Sequence, residues 1–161
     1  LRPRKPFWTL GSSPFVAPAP RVRRFRPDQL DALYPACVAM FTEELGISPE
    51  LGNGARLYRN RVAQLIDKGL AFARIEDDEV VFKAEVAAVT PHAAQVQGVW
   101  VRPDRRGEGL SAPSVAAVAA AILDDVAPVV SLYVNEHNLP AQRAYGRVGF
   151  TEHTRFATIL F

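Results

Sequence analysis

Two segments near the start of the chain carry apolar residues at every third or fourth position. This spacing, over 27–45 and again over 53–69, predicts two amphipathic helices, the first starting at Pro27 and the second capped by Asn53. The residues predicted to face the core are Leu30, Leu33, Tyr34, Cys37, Phe41 and Leu45 in the first helix, and Leu57, Tyr58, Val62, Leu65 and Ile66 in the second. Because Cys37 falls within the first stripe, we expect a packed structural thiol.

The other apolar segments are shorter and indicate strands. They are 21–26, 70–75, 80–89, 95–102, 129–134 and 151–161. An Ala-rich helix lies between the fourth and fifth strands, and a last helix runs from a cap at Asn138 to about Val148. A strand–helix–strand unit of this length implies parallel neighbours joined by a right-handed crossover. The pattern predicts an α/β fold, with one mixed sheet and helices on both faces.

The junction after the strand at 95–102 favours binding of an anion. Gly98 lies inside this strand, where glycine often marks a bulge, and Pro103 ends it. The turn at 105–109 contains two arginines and two glycines and leads directly into a helix. Glycines let successive N–H groups converge, and a helix N-terminus adds unpaired donors and partial positive charge. The turn is therefore a candidate phosphate cradle.

Two common nucleotide-binding motifs do not fit this turn. A Walker loop needs Lys-Ser/Thr after its last glycine, whereas Gly109 is followed by Leu110 and Ser111. A dinucleotide fingerprint needs a third glycine, but Ala112 occupies that place, and the helix then runs on to Asp124 without an acidic residue to hold a ribose.

The sequence resembles the GNAT superfamily of acyl-CoA N-acyltransferases at two places. Residues 101–111 are similar to motif A, R/Q-x-x-G-x-G/A, with Arg106, Gly109 and Ser111 at the three fixed positions. Ser111 departs from the usual Gly or Ala, but it is small and keeps its N–H. Residues 132–150 resemble motif B, which follows in the order the family shows.

This resemblance implies a GNAT-like fold in which two parallel strands separate at their C-terminal ends and receive acetyl-CoA. The implied cofactor-binding residues are Val99, Trp100, Val101, Arg106, Gly107, Glu108, Gly109, Leu110, Ser111 and Asn138. A backbone N–H of 99–101 would stabilise the thioester oxygen, and Tyr145 would protonate the leaving thiolate. Plainer alternatives stay open: a solvated basic turn at 105–106, a core tyrosine at 145 and a simple helix cap at 138.

A general base is harder to choose from the sequence. Glu85 is the carboxylate candidate, although it shares a strand face with Lys83 and a solvated pair is the alternative. His92 and His137 lie near loops, and histidine is a common general base, but nothing distinguishes either of them. An ordered water relay would also serve.

Composition narrows the class of protein. The chain has 161 residues, 48% of them apolar and 22% charged, which suits one globular domain. A net charge of +2 gives no indication of a nucleic-acid partner. The single Cys37 fits a reducing, cytoplasmic compartment, and no apolar run approaches the roughly 18 residues of a membrane helix. We expect no metal and no membrane partner.

The first 20 residues differ from the rest. They hold five of the 13 prolines with basic residues between them, so we expect an arm or linker over 1–20 and the acyltransferase domain over 21–161. Its aromatic residues predict that part of the arm docks on its own domain, on an upstream domain or on a second subunit, as in a homodimer. Few residues follow Phe150, so the arm is expected to supply a missing strand.

The predicted function is transfer of an acetyl group from acetyl-CoA to a primary amine of a small molecule or a protein terminus. Two alternatives stay open: a non-catalytic acyl-CoA-binding regulatory domain and a structural half of a tandem protein. Residues 28–70 and 80–92 would shape the acceptor pocket, but they contain no carboxylate cluster or aromatic cage that identifies a substrate.

Overall fold

The computed structural model describes residues 4–156, which form one mixed sheet of seven strands. In chain order the strands are β1 (Lys5–Leu10), β2 (Arg23–Arg24), β3 (Ala71–Glu76), β4 (Glu79–Val89), β5 (Ala94–Val101), β6 (Val130–Tyr133) and β7 (Thr151–Phe156). Their order across the sheet is β2-β3-β4-β5-β6-β1-β7. Only β5 and β6 are parallel neighbours, and the other pairs are antiparallel.

Four helices cover the two faces of the sheet, which confirms the predicted architecture. They are α1 (Leu30–Leu45), α2 (Gly54–Asp67), α3 (Ser111–Asp125) and α4 (Leu139–Val148). Successive residues of β3 alternate between two hydrophobic clusters: Ala71 and Ala73 pack with α1 and α2, and Phe72 packs with α3 and α4. The period of two along the strand thus separates the two layers of the core.

The predicted helix faces are partly wrong at their ends. Leu45 is 60% exposed and Leu57 is 72% exposed, whereas Leu33 and Cys37 are buried as expected. Asn53 occupies the N-cap position of α2, but its side chain makes no capping hydrogen bond. The first predicted strand, 21–26, contracts to the two residues of β2, and 157–161 of the closing strand lie outside the described residues.

The N-terminal segment is a strand of this same sheet. β1 lies between β6 and β7 and pairs with both in antiparallel fashion, with Trp8 opposite Leu132 on one side and Glu152 on the other. Backbone hydrogen bonds to the carbonyls of Arg4 and Pro6 also hold the loop after β6. The predicted docking of the arm is therefore realised within the chain, between two strands and not at the sheet edge. No helix among residues 4–156 is long and apolar enough to cross a membrane.

Candidate active site

The parallel strands β5 and β6 separate part of the way along their length. Their paired register covers only Ala94–Val130, Gln95–Ser131 and Val96–Leu132, although β5 continues to Val101. A cleft of about 690 Å³ opens where they part, lined by residues 95–99 of β5 and 132–135 at the end of β6. This is the splayed pair of strands that the sequence predicts, at the carboxyl ends where open sheets bind ligands.

A bulge at Gly98 interrupts β5 beside the cleft. Gly98 has φ +60°, and the register with β4 shifts so that Lys83 faces Trp100 but Glu85 faces Gln97. One residue of β4 is therefore opposite two residues of β5, Gly98 and Val99. The predicted glycine bulge is present, and it turns the backbone of β5 at the point where the cleft begins.

The turn after β5 has free backbone donors, as a phosphate cradle requires. Gly107 and Gly109 adopt φ +83° and +75°, conformations that glycine adopts without a steric penalty. Within residues 4–156, no group accepts a hydrogen bond from the N–H groups of 107–112. Because α3 starts at Ser111, the last of these donors lie at its N-terminus and share its partial positive charge.

The two arginines of the turn are paired with carboxylates. Arg106 donates to both oxygens of Glu43 on α1, at 2.8 and 2.9 Å, and to the carbonyl of Val101. Arg105 donates to Glu108 at 2.8 Å and also contacts Glu76. Neither arginine is a simple solvated charge, because each links the turn to a neighbouring element. Glu43 had no signal in the sequence beyond its place on α1.

Tyr145 reaches the cleft from α4. Its side chain is 6% exposed, and its hydroxyl makes no hydrogen bond within the described part of the chain. Burial raises its pKa to about 12, so the phenol stays protonated at neutral pH. Tyr145 thus lines the cleft with a largely buried, protonated phenol.

Glu85 and Lys83 are placed differently from the predicted solvated pair. Lys83 is only 1% exposed and its Nζ lies 4.0 Å from Glu85 Oε2. Glu85 lines the cleft and accepts a hydrogen bond from Gln97 at 3.1 Å. The side chains of His92 and His137 are exposed and do not line the cleft.

The remaining predicted residues lie at three places. Asn138 lines the cleft and also caps α4, accepting from the N–H of Ala141 at 3.2 Å. Val99 lines the cleft, whereas the side chain of Trp100 packs against α1 and donates to Glu43 at 3.3 Å. The carbonyl of Val101 accepts a hydrogen bond from the Arg106 side chain, and the residues of the turn do not line the cleft.

Part of the cleft lining comes from 28–70, the range predicted to shape the acceptor pocket, whereas Lys5, Tyr133 and Phe156 were not predicted. The wall opposite β5 comes from α1 and α2, and the far end comes from β1, β6 and β7. The contributing side chains include Met40, Phe41, Tyr58, Arg61, Lys5, Tyr133 and Phe156. They extend from Lys5 to Phe156 along the chain, so the fold brings them together. Among residues 4–156, no group of three or more metal-ligating side chains is present.

Comparisons with known proteins agree with this geometry. The model of the FR47-like protein family matches residues 82–158, from β4 onward. No curated protein sequence matches the chain. Solved structures do match, and the chain resembles three of them as follows.

A GNAT-family acetyltransferase from Colwellia psychrerythraea matches at TM-score 0.73 and 14% identity, over 96% of this chain and 54% of that one. A GCN5-related N-acetyltransferase from Sphaerobacter thermophilus matches at TM-score 0.73 and 22% identity, over 96% of this chain and 50% of that one. A predicted acetyltransferase from Clostridium acetobutylicum, solved with acetyl-CoA, matches at TM-score 0.65 and 13% identity, over 86% of this chain and 94% of that one.

The chain spans about half the length of the first two of these proteins. At such identities the likeness concerns the fold, which is that of GNAT acetyltransferases throughout. The family match is limited to residues 82–158, and the parted strands β5 and β6 agree with the GNAT-like fold of these structures.

Proposed function

We propose that the chain is an N-acetyltransferase that moves the acetyl group of acetyl-CoA to a primary amine of a small molecule or a protein terminus. The observation that carries this proposal is that Tyr145 lines the cleft between the parted strands β5 and β6. The acetyl-CoA complex of the Clostridium acetobutylicum protein, which has a similar fold, supports the choice of cosubstrate.

Acetyl-CoA would lie with its pyrophosphate on the turn from Arg106 to Ser111, where the N–H groups from Gly107 onward are free, and with its pantetheine arm in the cleft. The pairing of both turn arginines with carboxylates makes the backbone donors the main anion ligands. Asn138 lies where it can contact the arm as well as cap α4.

The chemical step requires several proton and charge movements. The acceptor ammonium loses a proton to Glu85, directly or through water, and its lone pair attacks the thioester carbon. The acyl oxygen becomes negative and is stabilised by the Val99 N–H. The attacking nitrogen, now positively charged, loses its second proton to solvent. The carbonyl then re-forms, the C–S bond breaks, and Tyr145 gives its proton to the thiolate. Solvent returns a proton to the phenolate and takes up the proton held by Glu85.

The acceptor would enter from the side of α1 and α2. Its walls there combine the apolar side chains of Met40 and Phe41 with the charged Glu44 and Arg61, and Glu85 also lines the cleft. This arrangement suits a primary amine whose ammonium is drawn to a carboxylate of the cleft.

The test is thiol release from acetyl-CoA across a panel of primary amines, with the wild-type chain and with Tyr145→Phe. We expect thiol release with at least one amine and a loss of about 10²-fold in kcat for the variant, with CoA affinity retained. Tyr34→Phe is the matched control, because Tyr34 donates to Glu50 outside the cleft. Acetyl-CoA binding without thiol release for any amine would support a regulatory domain instead.

A second candidate is one half of a tandem protein. The chain's span of about half the length of two similar structures favours it. Calorimetry of the isolated chain with CoA separates the two, because a purely structural half would not bind.

A further inference from the structure

Lys83 is a buried lysine at the centre of the sheet. It lies on β4, is 1% exposed, and is one of three polar or charged residues among the buried ones described. Burying an ammonium is costly unless it is well paired. The side chain could have been a leucine or methionine if its role were only to fill space, so its partners are informative.

The ammonium of Lys83 has one strong hydrogen-bond acceptor. Nζ donates to the carbonyl of Gly98 at 2.9 Å and contacts Met40 Sδ at 3.1 Å, while Glu85 Oε2 is 4.0 Å away. The titratable groups on the packed helices include Cys37 of α1, which interacts electrostatically with Lys83, and Tyr58 of α2, and burial raises the pKa of both. The carbonyl at the β5 bulge is therefore the group that Lys83 serves.

The bulge leaves room for this contact only because residue 98 is glycine. A Cβ at Gly98 would lie 3.0 Å from Lys83 Nζ, 3.2 Å from Glu85 Oε1 and 3.2 Å from Met40 Sδ. Added to the positive φ of Gly98, this crowding shows that the sequence keeps a small residue where the lysine reaches the main chain.

The contact also fixes the direction of the next N–H group. The peptide between Gly98 and Val99 is trans, so its C=O and N–H point in opposite directions. Because Lys83 holds the Gly98 carbonyl, the Val99 N–H points away from the lysine. Gly98 and Val99 both line the cleft. A cation on a carbonyl withdraws electron density from the amide nitrogen, which strengthens the N–H as a donor.

We propose that Lys83 is a positioning residue that orients and polarises the Gly98–Val99 peptide, so that the Val99 N–H binds the acyl oxygen of the thioester. This inference rests on the proposed acetyl transfer but names a residue of β4 that does not touch the substrate. It accounts for the buried cation, the glycine and the bulge with a single role.

The experiment measures the infrared carbonyl band of ¹³C-labelled acetyl-CoA bound to the wild type, Lys83→Met and Lys83→Gln, together with kcat, KM and the Kd for CoA. Methionine fills the space without donating, whereas glutamine keeps an N–H donor without the charge. Lys68→Met is the matched control, because Lys68 is exposed at the end of α2.

We expect the wild type to shift the band to lower wavenumber and Lys83→Met to lose that shift, with kcat reduced on the order of 10²-fold. KM for acetyl-CoA and the Kd for CoA should change little, which a general loss of structure would not give. Glutamine should restore part of the shift and of kcat, and should do so even if the methionine variant folds poorly.

Two results would overturn the inference. Equal band positions in the wild type and in a folded Lys83→Met or Lys83→Gln variant would disprove it and leave the proposed acetyl transfer intact. No binding of acetyl-CoA by the wild type would disprove the proposed function, and the inference with it.

Discussion

Arg106 and Glu43 form a two-point contact that joins the turn at 105–109 to α1. Two guanidinium nitrogens donate to the two carboxylate oxygens, at 2.8 and 2.9 Å, and Trp100 donates to the same carboxylate. The Arg106 hydrogen bonds lower the pKa of Glu43, so the carboxylate is charged at neutral pH. The positive charge expected at the turn is thus balanced when no anion is bound.

Glu43→Gln should therefore tighten CoA binding, whereas Arg106→Gln should weaken it. The first change leaves the arginine charge uncompensated beside the pyrophosphate, and the second removes it. We expect a several-fold change in Kd in each direction at low ionic strength, shrinking as salt screens the charges. Calorimetry with CoA at two salt concentrations measures both.

The same pair gives a pH dependence with a definite sign. A depressed Glu43 pKa contributes stability that is present above its unfolded value and is lost as pH falls through the folded value. Since the side chains of Glu43 and Arg106 are 47% and 44% exposed, the pair contributes at most about 1 kcal/mol to stability.

Weaker CoA binding by both Glu43→Gln and Arg106→Gln would show that the pair acts only as a structural clamp.

Tyr145 should make the chain less stable in alkali. Its pKa is raised to about 12 by burial, so its stabilising effect is complete below pH 10 and is lost as pH rises toward 12. Denaturant unfolding of wild type and Tyr145→Phe across this range isolates the effect from other groups. We expect the stability difference to shift by roughly 2 kcal/mol in favour of the phenylalanine variant. A constant difference would mean that the phenol titrates normally.

Gly109→Ala should weaken CoA binding through the backbone alone. Gly109 has φ +75° with no atom within 4 Å of an added Cβ, so strain is the main consequence. That strain costs about 1–2 kcal/mol, and relieving it would move the turn's donors. Gly11→Ala is the control, because its Cβ would meet only Val129 at 3.9 Å and its φ is not positive. Equal CoA affinity for the two variants would remove the turn from the site.

Leu10→Ala should destabilise the chain far more than Phe15→Ala. Leu10 ends β1 and is 3% exposed in the main core, whereas Phe15 is 79% exposed. By denaturant unfolding, we expect Leu10→Ala to lower the free energy of unfolding by about 2–4 kcal/mol and Phe15→Ala to change it by no more than about 0.5 kcal/mol. Deleting 1–20 should have a larger effect, because β6 and β7 would both lose their partner. Unchanged stability after that deletion would show that β1 is dispensable.

The sequence predicts the parts of this fold that depend on local chemistry. Gly98 marks the bulge, Pro103 ends a strand and Asn138 caps α4, because each effect acts within a few residues. The order of strands is non-local, so the place of β1 between β6 and β7 could not be read from its prolines and aromatics.

The site was predictable to a similar degree. Residues close together in the motifs, such as Gly107 and Gly109, are placed as the pattern requires. The ion pairs of Arg106 and the burial of Lys83 depend on α1 packing over the sheet, which no periodicity encodes. A lysine in an alternating strand is ordinarily taken as solvated, whereas Lys83 is buried and donates to the carbonyl of Gly98.

The most direct test of the account follows backbone amides by two-dimensional ¹⁵N NMR while CoA and then acetyl-CoA are added. CoA should move the amide signals of Gly107, Gly109 and Ser111, where the diphosphate is expected to bind. Acetyl-CoA should in addition move the amide signal of Val99, because only acetyl-CoA has the thioester that supplies the acyl oxygen. Binding that leaves these four amides unchanged and perturbs another surface would contradict the central claim.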